Sequence, residues 1–201
     1  MIGGTAYGVA LNDREQVAAL GDALGEKPYG KPPVAPILYI KPRNCFAASG
    51  SAVTLPGDVA EVAVGATIAI ERALAGPPVA RLAIDLFVPH ASFYRPAIAE
   101  RCRDGFLPLG PASAPPADLA SIEIVTHIGG AERHRWSLSR LVRDPAALER
   151  EIATFMTLAP GDLLLCGIAG DAPTARAGDT IEVTAEGFAP LAVSLVAEQA
   201  R

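Results

Sequence analysis

Proline and glycine constrain this chain more than any other feature of its sequence: eighteen Pro and nineteen Gly are spread along 201 residues. Proline cannot sit in a helix interior and glycine weakens one, so the chain has to be built from many short elements joined by tight turns. Between these breaks most segments read as strands. Tyr7 to Leu11 is one, Ile37 to Ile40 reads as a buried one, and Val62 to Glu71 alternates small and branched residues. Ile122 to Ile128 runs into a Gly129-Gly130 turn, with a return strand that includes His134 to Ser137. Pro160-Gly161-Asp162 leads into Leu163 to Cys166, Gly178-Asp179 into Thr180 to Glu186, and Leu191 to Ala197 closes the series. Two helices are predicted. Asn12-Asp13 caps Arg14 to Leu24, and Asp144-Pro145 supplies an N-cap and first turn for Ala146 to Leu158. Strands dominate without regular βαβ alternation, so the class is α+β, with a mixed or antiparallel sheet folded on itself. No linker or repeat interrupts residues 1–201, which are expected to form a single domain.

Half the residues are apolar and the net charge is −5, an ordinary globular composition. The acidic balance argues against nucleic acid, which requires clustered Lys and Arg. Cys45, Cys102 and Cys166 are widely spaced, without a CxxC pair, and fit a reducing compartment rather than a disulfide framework. No apolar run reaches membrane-spanning length and no basic leader precedes an apolar core, so a cytoplasmic, membrane-free protein is expected.

The segment Asp85 to Pro111, DLFVPHASFYRPAIAERCRDGFLPLGP, gathers Asp, His, Tyr and several Arg around a Pro-rich bend. Polar groups in irregular backbone must find partners or face a ligand. Tyr94-Arg95 is suited to a substrate carboxylate; alternatively Arg95 braces the loop through Asp104. A lone His such as His90 is more often a hydrogen-bonded structural residue than an acid or base. Asp104-Gly105 reads as a turn. Lys41 and Arg43 follow the second strand and are placed either at a pocket mouth or in solvent. His127 and His134 fall on paired strands facing solvent; a two-His metal site there has no carboxylate partner nearby in sequence. Cys166 reads as a buried strand thiol.

Seven motifs in order carry a family resemblance: GVALNDREQ, KPPVAPILYIKPRN, GATIAI, VPHASFYRPAI, CRDGFLPLGP, LAPGDLLLCG and AGDTIEVTAEGFAPL. Over nearly its full length the chain resembles the fumarylacetoacetate hydrolase superfamily. Within it, the chain is most similar to the N-terminal half, or separate N-terminal subunit, of the bifunctional isomerase/decarboxylases of 4-hydroxyphenylacetate (homoprotocatechuate) degradation. The resemblance implies the strand-rich roll of that family's C-terminal domain. It also implies Mg²⁺ or Mn²⁺ held by a Glu-x-Glu and an Asp, which chelates a 2-oxo acid and stabilises an enolate.

The carry-over is incomplete. The Glu-x-Glu falls on Gly65 and Thr67, and the Asp is retained as Asp85. The assisting Lys falls on Arg101, which cannot act as a base near neutral pH. A His/Glu pair of some members falls near Gln16 and Ala19, and the closing Gly-Thr-Pro loop reads Gly167-Ile168-Ala169. The connector from Thr67 to Asp85 is short, with Gly76-Pro77-Pro78 where a helix is expected. On the resemblance, Asp85 would hold any metal, Arg101 and Arg95 would clamp carboxylates with Tyr94, and Lys41 and Arg43 would line the entrance. The implied ligand is an unsaturated dicarboxylic or tricarboxylic 2-oxo acid, undergoing decarboxylation or isomerisation. The alternatives are a non-catalytic subunit docked on an active paralogue, and metal-independent binding of an acidic metabolite in the remaining pocket. A homodimer, or pairing with a C-terminal-half paralogue, is the expected assembly.

Overall fold

The computed structural model describes residues 3–90 and 92–199. Its strands are β1 (Ala6–Ala10), β2 (Ile37–Lys41), β3 (Phe46–Ala48), β4 (Ala52–Leu55), β5 (Val62–Glu71), β6 (Val79–Phe87) and β7 (Leu107–Leu109), then β8 (Glu123–Ile128), β9 (Ala131–Ser137), β10 (Leu163–Leu165), β11 (Thr174–Ala175), β12 (Thr180–Ala185) and β13 (Leu191–Ala197). The helices are short: α1 (Arg14–Leu20), α2 (Ile98–Arg101) and α3 (Pro145–Ile152), with three 3₁₀ turns. An eight-stranded mixed sheet has the order β2-β1-β10-β5-β6-β7-β3, with β11 paired to β5, and a five-stranded sheet runs β4-β13-β12-β8-β9. The strand-rich α+β expectation holds.

Alternation along β5 and β6 explains how the sheets pack. Val62, Val64, Ala66 and Ile68 of β5 and Ala80, Leu82, Ile84 and Leu86 of β6 enter one core with Ile124, Ile181, Val183 and Leu195 of the second sheet. The intervening residues, among them Gly65, Thr67 and Asp85, therefore share the opposite face. Trp136 crosses from the smaller sheet to donate its indole N–H to Ala66 O at 3.0 Å. On the far side α3 packs Leu148 and Ile152 onto Val9 and Leu164.

Several expectations shift. Leu11 leaves β1 with φ +55°. Asp13 caps α1 by accepting from Glu15 N, but the α-helix stops at Leu20, where Gly21 converts it to a 3₁₀ turn. Asp144 caps α3, which ends at Ile152 rather than at Leu158. Strand β2 is an edge strand, with Ile40 45% exposed, and not a buried one. The short connector after β5 returns directly as β6, a strand the sequence reading missed.

Candidate active site

Strand register sets up the site. In the β5–β6 ladder Gly65 faces Asp85 directly. In the β1–β2 ladder Gly8 faces Tyr39 and Ala6 faces Lys41. A Cβ at Gly8 would lie 2.1 Å from Tyr39 Cζ, so the glycine makes the space in which the Tyr39 ring crosses β1. Tyr39 and Lys41, two apart on β2, both reach Asp85.

Asp85 is fully buried and is surrounded by cations. Its Oδ1 lies 2.5 Å from Lys41 Nζ, an ion pair at an angle poor for a hydrogen bond. Its Oδ2 accepts from Arg101 Nη1 at 2.9 Å and from the Tyr39 hydroxyl. Lys41 Nζ also donates to Leu86 O at 2.5 Å and Phe106 O at 2.7 Å, so three oxygens surround the ammonium. The Arg101 guanidinium is sandwiched between the rings of Tyr39 and Phe87, at 4.3 and 4.1 Å from their centroids. Burial, then the Asp85 charge, holds the Tyr39 hydroxyl pKa well above its usual value. Burial lowers the Lys41 pKa, and the adjoining Asp85 carboxylate pulls it the other way. Two cations and one carboxylate leave one positive charge in excess.

That excess reaches ligand-accessible space through Arg101. A cavity of about 410 Å³ is lined by Ile37, His90, Tyr94, Arg95, Ile98 and Arg101 among others. A second, of about 200 Å³, is lined by Gln16, Ala63, His90, Arg101, Ile168 and Gly170 among others. Arg101 and His90 stand on the walls of both. The closing loop of the smaller cavity is pinned from α1's start: Asn12 Nδ2 donates to Cys166 O at 2.8 Å, and Asp13 accepts from Gly170 N at 2.8 Å.

The expected site residues separate into three groups. Asp85 and Arg101 meet, and Tyr94 and Arg95 line the larger cavity with Arg101. Lys41 is not at an entrance: it is fully buried, because β2's alternation turns it inward with Tyr39 to two carbonyl acceptors and the Asp85 carboxylate. Arg43 leaves the site altogether. A 3₁₀ turn, Arg43–Cys45, carries it to a separate depression beside Arg81 and Pro111. Asp104 accepts from Asn44 Nδ2 at 2.7 Å and precedes Gly105 at φ +74°, so it holds a turn and does not need Arg95. His127 and His134 sit on adjacent strands, with His134 Nε2 3.3 Å from Asp171. Tyr39 was missed; the signal available was its i, i+2 spacing with Lys41 on one strand face.

A scan of known families matches residues 5–196 to the fumarylacetoacetate (FAA) hydrolase C-terminal domain. The chain belongs to the fumarylacetoacetate hydrolase family. It is 37% identical, over 97% of its length, to the 4-hydroxyphenylacetate degradation bifunctional isomerase/decarboxylase of Salmonella dublin, and spans 48% of that protein. Among solved structures it is similar to the 5-carboxymethyl-2-hydroxymuconate delta-isomerase of Mycobacterium smegmatis, with TM-score 0.81, 22% identity, and coverage of 98% of this chain and 78% of that one. It also superposes on fumarylpyruvate hydrolase of Pseudomonas aeruginosa in complex with Mn²⁺ and pyruvate, with TM-score 0.78, 18% identity, and coverage of 96% and 90%.

The divalent ion that the family implies does not fit the donor set of this chain. Hard cations take several oxygen ligands, among them carboxylates free to face the ion. Of the three ligand positions that the resemblance implies, only Asp85 carries a carboxylate, and both its oxygens are engaged by Lys41, Arg101 and Tyr39. Thr67 Oγ1 is committed to Gly167 O at 2.5 Å. A Cβ at Gly65 would lie 2.8 Å from Ile168 Cγ2 and 2.9 Å from Asp85 O, so the loop fills the space of a glutamate there. Among the described residues no group of three or more His, Cys, Asp or Glu could hold a metal. The positive charge that neutralises Asp85 is instead covalently attached, as the Lys41 ammonium and the Arg101 guanidinium.

Proposed function

We propose that this chain is one half of a 4-hydroxyphenylacetate-type isomerase/decarboxylase and binds an unsaturated 2-oxo acid, or its 2-hydroxy dienoic form, in the cleft above Arg101. The observation that carries the reading is the position of Arg101. A buried guanidinium, in a cluster with one positive charge in excess, stands on the walls of both cavities. Guanidinium pairs bidentately with carboxylates, and the apolar walls from Ile37, Phe93 and Ile98 suit a conjugated carbon chain. Arg95, on the same wall, offers a second cation for the far carboxylate of a dicarboxylic or tricarboxylic acid, and Tyr94 lies beside it. Ligand binding and orientation, not Lewis-acid activation, are the roles these residues can perform.

A second reading, a non-catalytic partner, is favoured by one observation. The chain spans about half the length of the curated relative it matches, and its own carboxylate set is dismantled. In that reading it pairs with a paralogue bearing the three carboxylates. One experiment separates them. The purified chain is given 5-carboxymethyl-2-hydroxymuconate, alone and mixed with such a paralogue, and decarboxylation and ketonisation are followed by ultraviolet absorbance. Turnover by the chain alone supports the first reading. Turnover only in the mixture, with both chains in one complex, supports the second.

A further inference from the structure

We propose that His90 is the proton acceptor for the enol hydroxyl of a ligand whose carboxylate is held by Arg101, so that the cleft recognises a 2-hydroxy dienoic acid without a metal ion. The proposal deepens the reading above and rests on it for the placing of the ligand's carboxylate at Arg101.

Hydrogen bonding fixes the tautomer. His90 Nδ1 lies 3.0 Å from Ser92 O. A carbonyl can only accept, so Nδ1 carries the hydrogen and Nε2 of the neutral ring presents a lone pair. Nε2 is buried and has no hydrogen-bond partner among the described residues. Buried polar atoms are rarely left so, and this one belongs to a ring on the wall of both cavities. The ring is held edge-on between Phe87 and Phe93, with centroids at 5.9 and 5.4 Å. The charged groups acting on it are Arg101, Glu100 and Asp85. Burial, with Arg101 next, lowers its pKa and favours the neutral, proton-accepting form.

The chemistry balances with one proton. The enol O–H breaks and its proton passes to Nε2, leaving an enolate beside Arg101. The imidazolium then returns the proton to a carbon of the conjugated chain: a C–H bond forms, the enolate oxygen becomes a carbonyl, and the imidazole is neutral again. No oxidant, reductant or co-reactant is consumed.

The test uses chelator-treated chain and 5-carboxymethyl-2-hydroxymuconate, whose dienol and dienolate absorb at different wavelengths. Wild type is expected to bind in the presence of EDTA, to shift the bound ligand's band toward the dienolate, and to ketonise it at a rate that falls as pH drops and His90 becomes protonated. His90→Asn can still donate to Ser92 O but lacks Nε2. It should bind several-fold more weakly, lose the band shift and the acid limb, and ketonise about 100-fold more slowly or worse. His90→Gln, folded by near-ultraviolet circular dichroism, repeats the test if the Asn variant is unstable. Arg101→Lys should weaken binding about tenfold and keep the acid limb. A His90-dependent band shift without turnover would leave the contact standing and remove independent catalysis from the functional reading. Variants at His90 that match wild type, or wild-type binding that requires added Mn²⁺, would overturn the proposal.

Discussion

Replacing Lys41 by Met tests whether the buried ammonium holds the site together. The change removes a cation that contacts Asp85 Oδ1, Leu86 O and Phe106 O, all in the protein interior. Phe106 O keeps the backbone donor Leu86 N at 3.0 Å, and Asp85 Oδ2 keeps Arg101 and Tyr39. What is lost is the partner of a fully buried carboxylate oxygen and a donor to Leu86 O. Removing one partner of a buried ion pair costs about 3–5 kcal/mol, and Arg101, which stays on Asp85, holds the loss at the lower end. An orphaned carbonyl adds to that, and Met, an apolar chain of similar length, offsets part of it, so the net loss is about 4 kcal/mol. At this chain length each kcal/mol moves Tm by about 2–4 °C, which gives a fall of about 8–16 °C. Urea unfolding followed by Trp136 fluorescence measures the free energy directly. The double variant Lys41→Met/Asp85→Asn also strips the buried Arg101 of its carboxylate, so it should recover none of the loss. A Lys41→Met protein within about 1 kcal/mol of wild type, a value ordinary for an exposed ion pair, would refute the reasoning.

Other consequences follow from the same packing. Gly8→Ala would drive a Cβ into the Tyr39 ring. It should destabilise by about 1–3 kcal/mol and alter the tyrosine signal in near-ultraviolet circular dichroism. Trp136→Phe, which loses the 3.0 Å bond to Ala66 O, should leave that buried carbonyl short of a donor and cost about 1–3 kcal/mol in urea unfolding. Burial pushes the Cys166 thiol from 9.0 up to about 12. Because the folded state keeps its proton longer, this contribution is complete below the unfolded value and is lost as pH rises from about 9 toward 12. A Cys166→Ala variant should show a shallower fall of unfolding free energy across that window, and native Cys166 should resist a thiol reagent until unfolding.

Where the sequence announced itself, local pattern was sufficient. The bounds of β5 and β13 were legible in runs of small, branched and apolar residues between turns, and the Asp13 and Asp144 caps in residue type alone. Strand β6 carried the same signal in Ala80, Leu82, Ile84 and Leu86. It was obscured by the Gly76-Pro77-Pro78 connector and by a carboxylate, Asp85, at a position that faces no solvent. Its burial is tolerable only because Lys41 and Arg101 arrive from β2 and α2. Such a convergence is non-local: Lys41 meets Leu86 and Phe106 across 45 and 65 residues of chain. A lysine read in isolation defaults to the surface, and a histidine in a loop to a structural role. Lys41 departs from its default in the folded chain, and the orphaned Nε2 of His90 motivates the catalytic role proposed for it.

If attached cations stand in for the divalent ion, the measurement to make is Mn²⁺ binding to the chelator-stripped chain, by calorimetry and by the paramagnetic signal of free Mn²⁺. The expected result is no saturable binding in the micromolar range, with or without oxalate, and no change in Tm on adding the ion. One Mn²⁺ per chain bound at micromolar affinity, and lost in Asp85→Ala, would contradict it.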